Sequence, residues 1–250
     1  MKVIILAAGY ATRLYPLTLT QPKPLLPVAG KPMVDHVIDN MSDIEGIDRI
    51  YVVTNAKFAD HFQKWADHYH AKNPKVHFTV VNDGSTDDMN KLGAIGDIHH
   101  VIKSQHVDDD LIVVAGDNLF SDKIGGFGKL CREKNAPVLA LYDVGDLEQI
   151  KKYNSITLAA DGHITFFEEK PKNPTSTLTG IALYYYPKHT IPLIKQYMAE
   201  GNNPDQPGRL IQWLYPRTPV YTWRVPGIWF DIGSKETLEE ANQIFGKLKK

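Results

Sequence analysis

The N-terminal sequence KVIILAAGYATRLYPLTLTQPKPLLPVAGKP, residues 2–32, joins an apolar run to a long loop rich in proline, glycine and cations. The apolar run over residues 3–6 is typical of a strand at the centre of a parallel sheet, because such strands are buried on both faces. In open α/β sheets, ligands bind beyond the carboxyl ends of the strands, which is where this loop begins. We therefore expect the loop to face a ligand.

Strand and helix patterns alternate along the first half of the chain. Helical spacing of apolar residues predicts helices over residues 31–41, 58–69 and 92–102. Apolar runs predict strands over residues 50–53, 76–81, 111–118 and 138–142. This alternation predicts an α/β fold, with a Rossmann-like, mixed but mainly parallel sheet and helices on both faces.

After residue 145 the pattern changes to short strands. Residues 154–171 predict a hairpin that turns at Asp161 and Gly162, and residues 179–187 predict another strand. Residues 220–234 predict two more short strands, followed by a closing helix over residues 235–249. No linker-like stretch separates the two parts, so we expect one domain over residues 1–250.

Composition excludes several classes of partner. The formal net charge of the 250 residues is −1, so there is no basic excess for a nucleic acid. No apolar run approaches the roughly 20 residues of a membrane span. The single cysteine, Cys131, cannot form an internal disulfide, which fits a reducing cytoplasm. We expect a cytoplasmic protein without nucleic-acid or membrane partners, and homo-oligomer formation stays open.

The loop after the first strand has the composition of a phosphate cradle. Ala7, Ala8 and Gly9 are small, so their backbone N–H groups can approach an anion closely. Arg13 and Lys23 add positive charge. On its own, this composition also suits a surface loop with solvated cations, and it matches neither GxGxxG nor GxxxxGK[ST].

The order of the motifs resembles that of the sugar-1-phosphate nucleotidylyltransferases, in particular the glucose-1-phosphate thymidylyltransferases. The motifs that carry the resemblance are LAAGYATRLYPLT, PKPLLPVAGKP, GDN (116–118), FEEKP (167–171), TGIALYYYP (179–187) and WFDIGS (229–234). They cover nearly the whole chain. The resemblance implies transfer of a nucleotidyl group from an NTP to a sugar-1-phosphate, with Mg²⁺ as cofactor and release of pyrophosphate. Residues 1–145 would mainly bind the NTP, and residues 146–250 the sugar phosphate.

The resemblance also implies roles for residues at matching positions. Arg13 would hold the β- and γ-phosphates, Lys23 would reach the α-phosphate, and Asp117 and Asp231 would bind Mg²⁺, which is commonly held by one or two carboxylates plus phosphate oxygens. Arg13, Lys23 and Asp117 are thus the candidate catalytic residues. Further nucleotide contacts would come from Leu6, Ala7, Ala8, Gly9, Asp88, Asn90 and Gly93.

The sugar phosphate would be bound by the second half of the chain. Glu169 would accept hydrogen bonds from sugar hydroxyls and Lys170 would pair with the phosphate, because carboxylates suit hydroxyl donors and ammonium groups suit phosphates. Further contacts would come from Asn154, Thr179, Gly180 and Trp229.

Three positions depart from the family pattern. Ala11 replaces a glycine, Asn154 follows Tyr153 where a glycine is frequent, and residues 82–91 lack a glutamine that binds the base. Asp88 stands where some members have that glutamine, but an ionised carboxylate only accepts hydrogen bonds. Asn90 can donate and accept, so we expect Asn90 to face the base and Asp88 to face solvent. This arrangement favours dTTP or UTP, with a hexose-1-phosphate such as glucose-1-phosphate.

Two other functions stay open. A CTP-dependent cytidylyltransferase acting on phosphocholine, or on another non-sugar phosphate, would be favoured by an aromatic cage, for which Tyr184, Tyr185, Trp213 and Trp223 are candidates. A non-catalytic regulatory paralogue that binds nucleotide or sugar phosphate could lose Arg13, Lys23, Asp117 or Asp231, yet all four are present.

Overall fold

The computed structural model describes residues 1–248, in which strands and helices alternate. The strands are β1 (Lys2–Leu6), β2 (Pro27–Val28), β3 (Lys31–Pro32), β4 (Arg49–Thr54), β5 (Phe78–Asn82), β6 (Leu111–Ala115), β7 (Leu119–Phe120), β8 (Val138–Asp143), β9 (Asn154–Leu158), β10 (Ile164–Glu169), β11 (Leu178–Tyr186), β12 (Tyr221–Arg224) and β13 (Trp229–Phe230). The helices are α1 (Met33–Met41), α2 (Ala59–Lys72), α3 (Ala94–Ser104), α4 (Gly125–Lys134), α5 (Leu147–Ile150), α6 (Ile191–Ala199), α7 (Pro207–Leu214) and α8 (Lys235–Leu248).

Seven strands form one sheet in the order β12-β8-β11-β6-β1-β4-β5. Strand β1 pairs in parallel with β4 and β6, β4 with β5, and β8 with β12. Strand β11 runs antiparallel between β6 and β8. The prediction of a mixed, mainly parallel sheet is confirmed. Because β11 follows residue 145 and both of its neighbours precede it, the two halves of the chain share this sheet.

The sheet separates two hydrophobic cores, because successive side chains of a strand point to opposite faces. Val3 and Ile5 of β1 pack on one face with residues of α1, α2 and α4. Ile4 packs on the other face with residues of α3, α6 and α7. All three β1 side chains are fully buried, as predicted for a central strand. Helices therefore cover both faces of the sheet.

A third, smaller core joins the two ends of the chain, and we call it the junction cluster. Its buried members are Leu14, Leu26, Val28, Met33, Leu119, Ile232, Ala241 and Phe245. The side-chain oxygen of Asn242 on α8 also accepts a hydrogen bond from the backbone N–H of Ala29, at 2.8 Å. The cluster thus holds the N-terminal loop, the segment around β7 and the segment after β13 against one another.

Several elements differ from the sequence patterns. The strand predicted over residues 111–118 ends at Ala115, because residues 116–118 turn before β7. The patterns do not indicate α4, whose glycine-rich first turn disfavours a helix. They also miss α6 and α7, which each carry a proline in the first turn, where proline is tolerated.

The C-terminal elements agree better with the patterns. Strands β9 and β10 form the predicted hairpin, and β12 and β13 are the two predicted short strands. The closing helix runs over Lys235–Leu248, and residue 249 of the predicted range lies outside the described residues. In residues 1–248, the helices are each too short or too polar to traverse a bilayer.

Candidate active site

A cleft of about 420 Å³ opens where β1 and β6 end, and we call it the strand-end cleft. It brings together most of the predicted nucleotide-binding and catalytic residues, although they are far apart in sequence. Those that border it are Leu6, Ala7, Ala8, Gly9, Arg13, Lys23, Asp88, Gly93 and Asp117.

The loop after β1 borders this cleft and contains a run of backbone N–H groups without a protein acceptor. Within residues 1–248, the N–H groups of residues 8–13 have no protein acceptor, whereas the flanking N–H groups of Ala7 and Leu14 donate to Val53 O and Ala11 O. Consecutive N–H groups of this kind form a concavity that binds anions. Arg13 and Lys23 border the same space, so this part of the cleft suits phosphate groups.

Ala11 gives the loop its shape despite an unfavourable backbone conformation. Its φ of 48° and ψ of 45° lie in the left-handed region, which costs a non-glycine residue roughly 1–2 kcal/mol. The buried Thr18 hydroxyl donates a hydrogen bond to Ala11 O at 2.8 Å and holds the loop closed. Alanine therefore adopts here the conformation for which glycine is better suited.

The carboxylates of Asp117 and Asp231 lie near the cations Lys23 and Arg13. The Lys23 ammonium lies 2.5 Å from Asp117 Oδ2, in the turn between β6 and β7. Although the side chain of Asp231 reaches solvent, surrounding protein atoms raise its pKa above the ordinary value, and the charge of Asp117 raises it further. Lys23 and Arg13 act in the opposite direction. All four groups thus interact electrostatically, as their predicted roles require.

Asp117 and Asp231 fit a magnesium site. Burial raises the pKa of Asp231 and the charge of Asp117 raises it further, and a bound dication would offset the repulsion between the two carboxylates. Residues 1–248 contain no cluster of three or more His, Cys, Asp or Glu side chains arranged for a metal. The remaining ligands would have to be phosphate oxygens and water, which is the arrangement that Mg²⁺ usually has.

Another part of the strand-end cleft is acidic. Asp88, Asp97 and Asp205 border it, and the Lys91 ammonium lies 3.3 Å from carboxylate oxygens of both Asp88 and Asp205. Gly93, between these groups, has a φ of +79°. Carboxylates attract N–H and O–H donors and repel phosphates, so this part suits a base or a ribose.

The structure does not bring Asn90 into the cleft. Asn90 Oδ1 accepts hydrogen bonds from the N–H groups of Thr86 and Asp87, at 2.9 and 3.2 Å, and Asn90 Nδ2 donates to the Thr86 hydroxyl at 2.9 Å. Both ends of the amide are thus used inside its own turn. Asp88, which we expected to face only solvent, borders the cleft instead. We expected Asn90 to face the base and Asp88 to face solvent, and the structure does not have this arrangement.

The predicted sugar-phosphate residues gather around the start of β11. Asn154 Oδ1 accepts from Gly180 N at 2.6 Å and from the Thr179 hydroxyl at 3.2 Å, and Asn154 Nδ2 donates to Gly180 O at 3.0 Å. Asn154 also pairs with Glu169 in the register of β9 and β10. The Asn154 side chain therefore fixes Thr179 and Gly180, the residues expected to line the sugar pocket.

Glu169 keeps an unused acceptor. Its Oε2 atom is buried and has no hydrogen-bond donor within residues 1–248. Burial raises the pKa of Glu169, and the charges of Lys170 and Arg209 oppose that shift. A carboxylate oxygen without a donor suits a ligand hydroxyl. Lys170, the next residue, is exposed and has a left-handed φ of 50°.

Trp229 connects this group to the carboxylate pair. Its indole N–H donates to Asn118 Oδ1 at 3.1 Å, and its ring centroid lies 5.7 Å from that of Tyr153. The charge of Asp231 contributes to the raised pKa of Tyr153, so the two sites are neighbours. These contacts link the residues around β11 to the carboxylate pair, whereas Asn90 lies apart from both groups.

Sequence reasoning missed several groups that border the site. Asp97 could have been noticed, because it places a carboxylate beside the buried Ile95, Ile98 and Val101 of α3. Asp205 carried no local signal, since only the fold brings the loop before α7 to Gly93. Tyr10, Lys91, Asn118 and Tyr153 were likewise absent from the predicted site.

The chain is similar to several known proteins. A family model described as nucleotidyl transferase matches residues 2–247. The chain is 29% identical over 243 residues to the bifunctional protein GlmU of Methanocaldococcus jannaschii, covering 97% of this chain and 54% of that protein. It is 31% identical over 235 residues to a Sulfolobus acidocaldarius protein designated a mannose-1-phosphate guanyltransferase, covering 93% and 60%. The chain therefore spans little more than half the length of these two relatives.

A third relative is similar in length. The UTP–glucose-1-phosphate uridylyltransferase AglF of Haloferax volcanii is 28% identical over 246 residues, which cover 97% of this chain and 96% of AglF. Among solved structures, one described as a glucose-1-phosphate thymidylyltransferase from Bacillus anthracis, in complex with sucrose, superposes with a TM-score of 0.85. That superposition covers 98% of this chain and 95% of the other at 24% identity, which confirms the fold.

Proposed function

Since the chain belongs to the nucleotidyl transferase family, we propose that it transfers a nucleotidyl group from a nucleoside triphosphate to a sugar-1-phosphate. The main support is the run of unpaired N–H groups over residues 8–13, next to Lys23 and the carboxylates of Asp117 and Asp231. Such a site can hold a triphosphate with its α-phosphate near the cationic and acidic groups. The products would be an NDP-sugar and pyrophosphate.

In this reaction an oxygen of the sugar phosphate attacks the α-phosphorus, and the bond to the β-phosphate oxygen breaks. The N–H groups of residues 8–13 and Arg13 would hold the β- and γ-phosphates as the leaving group. Lys23 would neutralise charge at the α-phosphate. Asp117 and Asp231 would hold Mg²⁺, which supplies further charge neutralisation when bound. Catalysis is thus mainly alignment and electrostatic stabilisation, as is general for phosphoryl transfer.

The sugar phosphate would bind between β10 and β11. Glu169 Oε2 would take a sugar hydroxyl as donor, and Lys170 would pair with the phosphate. Gly180 is needed for packing at the start of β11, since a Cβ atom there would lie 2.5 Å from a methyl carbon of the buried Leu139. We propose a hexose-1-phosphate, such as glucose-1-phosphate, as the acceptor.

For the nucleotide we propose UTP or dTTP. This choice is supported by the similarity to a uridylyltransferase over nearly the full length of both chains. GTP is a second candidate, because guanine presents adjacent N–H donors and Asp88 and Asp205 place carboxylates beside the cleft. The relative designated a guanyltransferase agrees with that alternative.

A site for phosphocholine is not supported by the four aromatic residues considered for it. Tyr184 and Tyr185 lie in the two different cores, on opposite faces of the sheet. Trp213 packs against Tyr197, and Trp223 packs against Phe127. These side chains do not converge on one cavity, so they cannot enclose a quaternary amine.

The test is pyrophosphate release from UTP, dTTP, GTP and CTP, each with glucose-1-phosphate, mannose-1-phosphate or phosphocholine. We expect turnover with a sugar phosphate, loss of turnover with EDTA, and a loss of about 10²-fold or more in Asp117→Asn, the scale for removing a fixed electrostatic stabiliser. Nucleotide binding without turnover for every pair would favour the regulatory paralogue. An Asp117→Asn variant with unchanged rate would refute the metal assignment.

A further inference from the structure

Asp97 is a buried carboxyl group beside the strand-end cleft, to which the proposed reaction gives no role. It lies in the first turn of α3, where its N–H donates to Gly93 O at 2.8 Å. Its side chain borders the cleft although the residue is only 5% exposed. Its Oδ1 atom is buried and has no N–H or O–H donor within residues 1–248. A buried acceptor of this kind needs an explanation.

The group in contact with Asp97 is a second buried carboxyl, Asp83. Asp83 accepts hydrogen bonds from the Ser85 N–H at 2.7 Å and from the Ser85 hydroxyl at 2.8 and 3.0 Å. Both carboxyl oxygens of Asp83 thus already act as acceptors. Two carboxyl groups in hydrogen-bond contact must share a proton, so the proton belongs on Asp97. In agreement, burial and the charge of Asp83 raise the pKa of Asp97 to about 8.

The surroundings of Asp97 keep it neutral. Lys91 is engaged by Asp88 and Asp205, and Asp83 is the one described group whose charge shifts the pKa of Asp97. Helix α3 packs against β1, β4, α6 and α7. These elements and the neighbouring loops carry the following titratable or charged side chains: Lys2, Tyr10, Arg49, Tyr51, Asp83, Asp87, Asp88, Lys91, Lys195, Tyr197, Asp205 and Arg209.

We propose that Asp97 recognises the nucleobase: its neutral carboxyl donates its proton to Asp83 and accepts a hydrogen bond from an N–H group of the base. This inference rests on the proposed function, because it needs a nucleoside triphosphate in the cleft. The unpaired N–H groups of residues 8–13 and Arg13 would take the phosphates. The base is then left to the acidic part of the cleft, around Gly93 and Asp97.

A neutral carboxyl suits uracil or thymine better than an ionised one. The N3–H group of these bases lies between two carbonyl oxygens, which an ionised carboxylate would repel while accepting the proton. Neutral Asp97 keeps an acceptor without the full charge. It would therefore make the base contact that we expected from Asn90, whose amide is used within its own turn.

The first experiment measures the binding of UTP, dTTP and GTP, with Mg²⁺ and without sugar phosphate, by calorimetry at pH 7 and pH 9. For the wild type we expect the Kd to be about tenfold higher at pH 9 than at pH 7. Asp97 has a pKa of about 8, so only about a tenth of the molecules keep its proton at pH 9. Asp97→Asn donates to Asp83 and accepts from the base as the neutral acid does, so its Kd should be similar at both values.

The matched control is Asp35→Asn. Asp35 is another carboxyl with a raised pKa, hydrogen-bonded by the Trp65 indole N–H, and it lies on α1 at the opposite face of the sheet. This variant should keep the pH dependence of the wild type. Any titration of the nucleotide itself affects all three proteins equally, so the difference between them isolates Asp97.

The second experiment separates the base from the phosphates. Asp97→Ala should raise the Kd for UTP about tenfold at pH 7, the scale of one lost hydrogen bond, and leave the Kd for tripolyphosphate unchanged. A wild-type Kd that does not change with pH, a parallel rise in Asp97→Asn, or equal weakening of tripolyphosphate would overturn the inference. If neither the nucleotides nor tripolyphosphate bind the wild type, the proposed function itself fails.

Discussion

Replacing Gly93 by alanine should damage both stability and nucleotide binding. Gly93 has a φ of +79°, and a Cβ atom there would lie 2.7 Å from both Asp205 Cα and Pro204 O. These are backbone atoms, so no side-chain rotation relieves the contact. The same loop accepts hydrogen bonds from the first turn of α3, from Ala94 N to Asp205 O at 3.2 Å and from Ile95 N to Pro204 O at 2.8 Å.

The expected cost follows from these contacts. With ψ at 162°, the Gly93 backbone lies in a region that is essentially restricted to glycine, which costs alanine on the order of 1–3 kcal/mol. Carbon atoms pack best at about 3.5–4.0 Å, so the loop must move by about 1 Å. That shift loosens two hydrogen bonds worth about 1 kcal/mol each. We therefore expect Gly93→Ala to lower the free energy of unfolding by about 3–5 kcal/mol.

Gly201→Ala is the matched control. Gly201 has a similar φ of +73°, but a Cβ atom there would meet no described atom within 4 Å. Gly201→Ala should cost only about 1–2 kcal/mol, from the backbone alone. Urea unfolding of both variants gives the difference, and the KM for the nucleotide should rise in Gly93→Ala alone. Equal losses of stability in the two variants would refute the argument that the loop of Pro204 and Asp205 clamps α3.

Three further predictions concern other residues. Lys23→Ala should lower kcat about 10²-fold at saturating substrates, because it removes charge that acts during transfer. Lys170→Ala should instead mainly raise the KM for the sugar phosphate, and identical kinetic effects of the two variants would contradict these roles. Ala11→Gly should raise the free energy of unfolding by about 0.5–1 kcal/mol, which thermal melting would detect. The relief of backbone strain at the left-handed position is larger than the entropy that glycine adds to the unfolded chain. Asp97 has a pKa of about 8 in the folded protein and an ordinary value of 3.8, so the folded state binds its proton more tightly. Stability should therefore fall as the pH rises from about 4 to about 8 and level off above; urea unfolding across this range should show a smaller slope in Asp97→Asn.

The strands of the first half were predictable because burial on both faces imposes an uninterrupted apolar run. Val3, Ile4 and Ile5 could be assigned to the centre of a parallel sheet for that reason, and the site could be placed at the strand's carboxyl end. Helix α4 could not be predicted, since its glycine-rich first turn is held by the packing of Phe127 and Cys131 in a core formed by distant residues.

The residues of the site that could be predicted belong to short sequence motifs, whereas the others depend on contacts that only the fold creates. Residues 8–13, Lys23 and Asp117 belong to short motifs, and the structure places them in one cleft. The part proposed to bind the base depends on side-chain partners that have no sequence signature. Asn90 is used by a turn over residues 86–90, and Asp97 keeps its proton through contact with Asp83, which follows β5.

The junction cluster has a consequence for the order of events during synthesis. The contact between Ala29 and Asn242 spans 213 positions, and the hydrophobic members of the cluster come from the same distant segments. A nascent chain can assemble most of the sheet as it emerges, because domains fold while translation proceeds. The loop that carries Arg13 and Lys23 lacks the packing that Ala241 and Phe245 supply until α8 has left the ribosome. A ribosome-bound chain stalled before residue 235 should therefore resist proteolysis in the sheet while its N-terminal loop is still cleaved.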